Sequence, residues 1–331
     1  MGALDCMSSG KMQLADSTEV FAITMSSNST LNEPRRDVES QKGQDTKRHS
    51  VWWTLLVDIP LVLIVLILIG LFELGYIPSH KAGFMCGDPS LSFPFNGDTV
   101  STGVLLAVVF FGPVVVMLVF ELVFADSDYS FRAKLRQASC RCLQIYKCYM
   151  YGLIFNFVVL EVVKGLMGRP RPTFFDLCEP DTAKTCTGNE FVPTYTCTST
   201  RFSWWMQNDS HHSFPSGHTS LSVYCGLFIA WYLQKRAFDW RHRTVFVVPC
   251  IQLVALSFSA ISSLTRITDH RHHWWDVLAG FCLGVITFLY AAVVLCKNFS
   301  RISKTNREGS PPLQSSVRTL VFDSQTSVVS P

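Results

Sequence analysis

Three short stretches of the chain carry residues suited to a phosphate ester. They are Lys164-Gly-Leu-Met-Gly-Arg-Pro-Arg171-Pro172, Pro215-Ser216-Gly217-His218 and Arg266-Ile-Thr-Asp-His-Arg-His272-His-Trp-Trp-Asp276. A phosphate monoester carries up to two negative charges, and its transition state spreads charge over three equatorial oxygens. Lys164, Arg171 and Arg266 can neutralise that charge. Arg offers a planar fork to two oxygens, and Lys a compact point charge. Ser216 and Gly217 begin an apolar segment. Free N–H groups and the helix dipole favour a bound anion there, and glycine lets it approach the backbone. His272 and Asp276 are four residues apart, which places them on one face of a helix. Asp276 is then expected to hold one imidazole N–H and leave the other nitrogen free as a nucleophile. His218, from a separate segment, is the expected proton donor to the leaving oxygen.

The segments that must position these groups have membrane character. Charged residues make up 16% of the chain, against about 25% in soluble proteins, and the apolar residues are clustered. A helix needs about 20 mostly apolar residues to cross the hydrocarbon core. Segments 52–76, 102–124, 145–167, 215–233, 245–264 and 275–296 meet or approach this, so the sequence predicts an all-α polytopic membrane protein with six spans. Basic residues mark the cytosolic loops. They concentrate before the first span, between the second and third, between the fourth and fifth, and after the sixth. Both termini are therefore expected in the cytosol, and all three motifs on the exoplasmic side. Residues 1–50 and 298–331 are polar and read as disordered cytosolic tails. Between them, residues 51–297 form the expected six-span domain. A net charge of +3 and the lack of a basic, aromatic-laced stripe argue against nucleic acid as a partner.

The long loop between the third and fourth spans holds a glycosylation sequon at Asn208, the expected glycan site; those at Asn28 and Asn298 fall on the cytosolic side. Cys86 lies in the first exoplasmic loop, and Cys178, Cys186 and Cys197 lie in the long one. They allow three pairings that sequence cannot choose among, and the oxidising compartment favours at least one disulfide within the long loop.

The three motifs resemble those of the lipid phosphate phosphatases in the type 2 phosphatidic acid phosphatase superfamily: Lys-x6-Arg-Pro, Pro-Ser-Gly-His and Ser-Arg-x5-His-x3-Asp. The resemblance covers about residues 50 to 297. It implies His272 as nucleophile oriented by Asp276, and His218 as leaving-group acid. Lys164, Arg171, Ser216, Gly217, His218 and Arg266 are the implied phosphate contacts. Thr265 stands where the family has Ser and keeps a hydroxyl. No metal or other cofactor is implied, in keeping with the lack of an acidic cage for magnesium. The implied partners are membrane lipid phosphates: phosphatidate, lysophosphatidate, ceramide 1-phosphate and sphingosine 1-phosphate. Self-association is left open. The implied location is the plasma membrane with the site facing outside, or the lumen of the secretory pathway.

Other readings compete with this one. A catalytically inactive relative would bind lipids or partners through the same fold, but every charged and histidine motif position is filled. A transporter would line a path with Asp58, Glu73, Glu121 and Glu161, which form no evident cluster at one depth. A metal site at His270, His272 and His273 is disfavoured, because the three sit on one loop without a cysteine.

Overall fold

The computed structural model describes residues 59–73, 79–124, 130–238 and 246–299, together with Leu56 and Tyr76. Both expected tails, apart from Asn298 and Phe299, lie outside the described residues, as do Asp58 and the Asn28 sequon. The described chain is mostly helical. Helix α1 spans Ile59–Glu73, α2 Thr102–Val123 and α3 Phe131–Met167. Two short helices, α4 (Phe174–Cys178) and α5 (Trp204–Asp209), lie in the long loop. Helices α6 (Gly217–Arg236), α7 (Val247–Thr268) and α8 (Trp274–Leu289) follow, and α8 continues as a wider π-type turn over Tyr290–Leu295.

Helices α2, α3, α7 and α8 with its extension are each long and apolar enough to cross a membrane; α1 is apolar but shorter. Their outward faces expose large apolar residues such as Phe111, Val115, Leu253, Val254 and Ile286. That is the surface expected against lipid rather than water. Helix α3 is much longer than the span expected over 145–167, because the basic segment from Phe131 continues the same helix.

Helix α6 differs from the others. Its segment, the shortest of the six, is rich in polar residues, and the structure shows why. It is the inner helix, packed chiefly against α7 and α8. Ser220, Ser222, Tyr224, Tyr232 and most of its other residues are buried. In a helix bundle, inward hydroxyls bond across helices rather than face lipid. Ser220 Oγ donates to Asn156 Oδ1 at 2.8 Å, and Asn156 Nδ2 donates to Thr287 Oγ1 at 2.7 Å. One polar chain thus joins α6, α3 and α8. Helix α6 begins at Gly217, with Ser216 as its cap, so Pro215 lies before the helix.

Glycines set the helix spacing. A Cβ at Gly280 of α8 would lie 2.5 Å from the Ser216 carbonyl oxygen, and one at Gly284 2.7 Å from that of Ser220. On the other side of α6, a Cβ at Gly226 would run into Ser259 Oγ of α7. Such close backbone approach is the packing mode of membrane helices that lack a hydrophobic drive to associate.

At the site end, the loops fold into a small cap. Strand β1 (Phe84–Met85) pairs antiparallel with β2 (Phe191–Val192), with Phe84 opposite Val192. Phe84, Leu91, Phe174 and Val192 form its core. The cysteines resolve into Cys86–Cys186 and Cys178–Cys197. At the opposite end, Glu121 is fully buried and bidentate to Arg236, at 2.9 Å to each oxygen, with Tyr232 at 3.2 Å. Past the π-type turn, Phe299 buries itself against Phe228 and Tyr232, and Asn298 accepts a hydrogen bond from Trp231.

Gly280→Ala should separate α6 from α8, with a stability loss of about 1–3 kcal/mol, as for other overpacked contacts. Thermal unfolding of the detergent-purified protein would show it. An unchanged melting temperature would mean that this contact does not set the spacing.

Candidate active site

The three motifs converge because the helices carrying them start or finish at one end of the bundle. Helix α3 ends through Gly168, which adopts a left-handed conformation (φ 53°) and donates its N–H to Lys164 O at 3.0 Å. A side chain there would also strike the His80 carbonyl. Only glycine suits both demands. The chain then turns so that Arg171 points back over the bundle. Helix α7 ends with Arg266 in its last turn, and α6 begins with Gly217 and His218.

These elements enclose a cavity of about 340 Å³. Lys164, Arg171, Gly217, His218, Arg266 and His272 line its polar part. Leu105, Leu106, Phe157, Leu160 and Leu221, from α2, α3 and α6, line an apolar part. A Cβ on Gly217 would sit 3.2 Å from Leu160 and 3.9 Å from Lys164 Nζ, so the backbone faces the amine closely. Ser216 is fully buried; its hydroxyl accepts from Thr219 Oγ1 at 3.0 Å and caps α6. It lies just behind the wall rather than on it.

His272 is buried and held at both nitrogens. Nδ1 lies 2.6 Å from the Ser213 carbonyl oxygen, which can only accept. Nδ1 therefore carries the proton, and the lone pair is on Nε2. Arg171 Nη1 lies 3.2 Å from that Nε2. Burial, and then the charge of Arg171, push the imidazole pKa well below its ordinary value. His218 Nε2 is buried with no hydrogen-bond partner among the described residues.

Asp276 is placed differently from expectation. Its carboxylate makes no hydrogen bond to His272. Helix α8 begins at Trp274, so His272 lies in non-helical backbone and the four-residue spacing does not bring the two together. Asp276 Oδ2 instead accepts from Ser213 Oγ at 2.6 Å and from the His273 N–H at 3.0 Å, and Arg169 approaches Oδ1 at 3.3 Å. Its carbonyl accepts from the Ser216 N–H at 3.0 Å. Asp276 thus reaches the nucleophile candidate only through Ser213, whose carbonyl grips Nδ1.

Sequence reasoning missed several partners. Arg171 donates Nη2 to Asp209 Oδ1 at 2.6 Å and Nε to the Asp209 carbonyl at 2.8 Å. Arg266 donates to Asp98 at 2.9 Å and to Asp269 at 3.1 Å. Lys164 donates to Glu161 at 2.9 Å. Burial alone would raise the Asp209 pKa, but Arg171 and Arg271 outweigh it and bring the carboxyl down to about 2. Arg271, directly before His272, was visible inside the third motif. Asp98 carried no signal, being far from any motif in the chain.

Thr265 points its hydroxyl at its own helix, to Ile261 O at 2.8 Å, and is not on the cavity wall. The methyl group that distinguishes it from Ser therefore does not crowd the site. His270 stacks on Phe93, and His273 on Trp275, so the loop histidines diverge. Among the described residues, the grouping of possible metal donors is Cys178, Cys197 and His211, where the two sulfurs are already joined. Glu121 and Glu161 sit at opposite ends of the bundle, each beside a cation, which is not the lining of a path.

Membrane-length helices with clustered cations and histidines at one end define a class, the integral membrane phosphatases. Residues 145–300 match the PAP2 superfamily. The chain is 31% identical over 238 residues to Phospholipid phosphatase 2 of Mus musculus, covering 71% of this chain and 83% of that one. It is 28% identical over 258 residues to Phospholipid phosphatase 2 of Homo sapiens (74% and 82% covered). It is 27% identical over 231 residues to Phospholipid phosphatase 1 of Rattus norvegicus (69% and 79% covered). No solved structure matches the chain. The chain belongs to the PAP2 superfamily, among the phospholipid phosphatases, and is a membrane enzyme of that kind.

A lowered His272 pKa keeps the imidazole neutral as pH falls. The acid limb of kcat/KM, which reports the free enzyme, should lie well below pH 6.5, the ordinary value, for the candidate nucleophile His272. Arg171→Gln removes one cause of the depression, so that limb should move upward in the residual activity. A limb that stays in place would assign it to another group.

Proposed function

We propose that this protein hydrolyses lipid monophosphates through a phosphohistidine on His272. The carrying observation is the single cavity in which Lys164, Arg171, Arg266, His218 and His272 meet beside an apolar wall from α2, α3 and α6. Such a cavity suits an amphiphile with a phosphate at one end and alkyl chains at the other. Phosphatidate, lysophosphatidate, ceramide 1-phosphate and sphingosine 1-phosphate all have this form.

In the first step, His272 Nε2 attacks phosphorus. The P–N bond forms as the bond to the lipid oxygen breaks. Lys164, Arg171, Arg266 and the Gly217 N–H stabilise charge on the equatorial oxygens. His218 gives a proton to the departing oxygen. The arriving phosphate favours the protonated imidazole this requires, because a nearby anion stabilises the charged form. In the second step His218 takes a proton from water, which attacks phosphorus and releases His272 and inorganic phosphate. Asp276 acts as a positioning residue: it fixes Ser213, and so the Nδ1–H form of His272. These groups supply the cationic stabilisation themselves, so the reaction proceeds without a divalent ion.

The protein crosses the membrane six times in this reading, with both termini in the cytosol. The site opens at headgroup depth on the exoplasmic side, at the plasma membrane or in the secretory lumen. Asn208, part-exposed on α5, carries the glycan.

Phosphate release from phosphatidate in EDTA, with inhibition by vanadate, tests the activity. Strict magnesium dependence would refute the mechanism. Phosphate binding without release from any lipid would favour an inactive lipid-binding relative. The histidine roles separate with an aryl phosphate, whose leaving group needs little protonation. His272→Ala should form no phosphoenzyme. His218→Ala should lose lipid hydrolysis yet accumulate acid-labile phosphate on His272 in rapid-quench samples. The reverse pattern would exchange the roles.

Topology has its own check. Asn208→Gln should lose one glycan's mobility on a gel and keep most activity. A glycan on Asn28 would invert the orientation.

A further inference from the structure

We propose that Arg271 is a further phosphate ligand of this site, and that Asp209 is the internal anion it exchanges for substrate. The inference rests on the lipid phosphatase reading above. It concerns a residue that the motif pattern leaves unspecified.

Arg271 stands between two expected phosphate ligands. Asp209 bridges it to Arg171: Oδ1 is 2.6 Å from Arg171 Nη2, and Oδ2 is 2.9 Å from Arg271 Nη2. Asp98 bridges it to Arg266: Oδ1 is 2.9 Å from Arg266 Nη1 and 3.1 Å from Arg271 Nε. The order is Arg171, Asp209, Arg271, Asp98, Arg266. An anion that replaces Asp209 on the Arg171 fork meets Arg271 in the same move. A carboxylate spanning two guanidinium groups occupies the place where two phosphate oxygens would sit.

The side chain is incompletely satisfied. Arg271 is 6% exposed and lines the cavity. Among the described residues its Nη1 has no hydrogen-bond partner, and Nε, although near Asp98, lacks hydrogen-bond alignment. A guanidinium has five N–H donors, and buried donors are normally satisfied. A purely structural arginine would be expected to fill them. The Phe95 ring, 4.9 Å from the guanidinium carbon, supports the head without taking a hydrogen bond. Its main chain is already fixed: the Arg271 N–H donates to Arg266 O at 3.0 Å, and its carbonyl accepts from Arg171 Nη1 at 3.2 Å. The head is therefore held in place before any substrate arrives.

The test uses the full chain in detergent, with inorganic phosphate as probe. Binding is read from the rise in melting temperature with phosphate, which needs no turnover. Inhibition of lipid hydrolysis by phosphate is the second readout. Arg271→Gln should weaken phosphate at least tenfold and raise KM for the lipid. Arg271→Lys, which keeps the charge, should recover much of that loss. Asp209→Asn removes the competing carboxylate and should tighten phosphate several-fold. A structural pin would not produce that last change. Unchanged phosphate affinity in Arg271→Gln would overturn the proposal, whatever its melting temperature. Weakened phosphate in Asp209→Asn would overturn the exchange. If Arg271→Gln does not fold, the Lys and Asn variants decide. If the wild type releases no phosphate from any lipid, the activity reading fails, and the melting shifts still judge Arg271.

Discussion

Gly280 and Gly284 let the backbone of α8 lie against the carbonyls of Ser216 and Ser220, and this separation sets where the candidate catalytic histidines stand. His218 rides on α6, while His272 sits just before α8. A side chain between the helices would part the two histidines. The contact is reinforced by polar links that cost little in a water-poor interior when both partners are satisfied. The Ser216 N–H reaches the Asp276 carbonyl, and the Ser213 hydroxyl reaches the Asp276 carboxylate. The fully buried Asp276 is thus a clamp between the second and third motifs. It holds the segment whose carbonyl selects the His272 tautomer.

Charge imposes a second demand. Buried guanidinium groups need partners, because desolvation of an unpaired ion is severe. The loops meet this demand with Asp98, Asp209 and Asp269, beside Arg266, Arg171 and Arg271. The buried cations are thereby neutralised within the protein, and their forks are held in fixed directions. In the proposed reading this is preorganisation, with carboxylates that compete with the substrate for the same donors. The loops that carry Asp98 and Asp209 are themselves stabilised by the small aromatic core around Phe84 and Phe174, and by two disulfides. The cap is therefore part of the site rather than a cover over it.

Much of this was legible in the chain. Long apolar runs declare membrane helices, since lipid leaves the backbone few other ways to satisfy its N–H and C=O groups. The types and spacing of Lys164, Arg171, His218, Arg266 and His272 declare phosphate chemistry, and the structure brings them to one cavity. Helix α6 was the hardest of the segments to read, for a physical reason. Its hydroxyls and glycines are there for neighbouring helices, so it lacks the apolar character of a lipid-facing span.

What only the tertiary structure decided is where the carboxylates go. From spacing alone, Asp276 belonged to His272. The true start of α8 at Trp274 breaks that helical relation and gives Asp276 to Ser213 and His273 instead. Asp98 and Asp209 come from loops distant in sequence, and no local pattern ties them to Arg266 or Arg171. The pairing of the cysteines was likewise open among three arrangements until the loops folded. Local sequence determines helices and the chemistry of side chains, because those follow from short-range periodicity and residue type. Which anion neutralises which cation depends on long-range approach, and that is settled only when the loops close over the bundle.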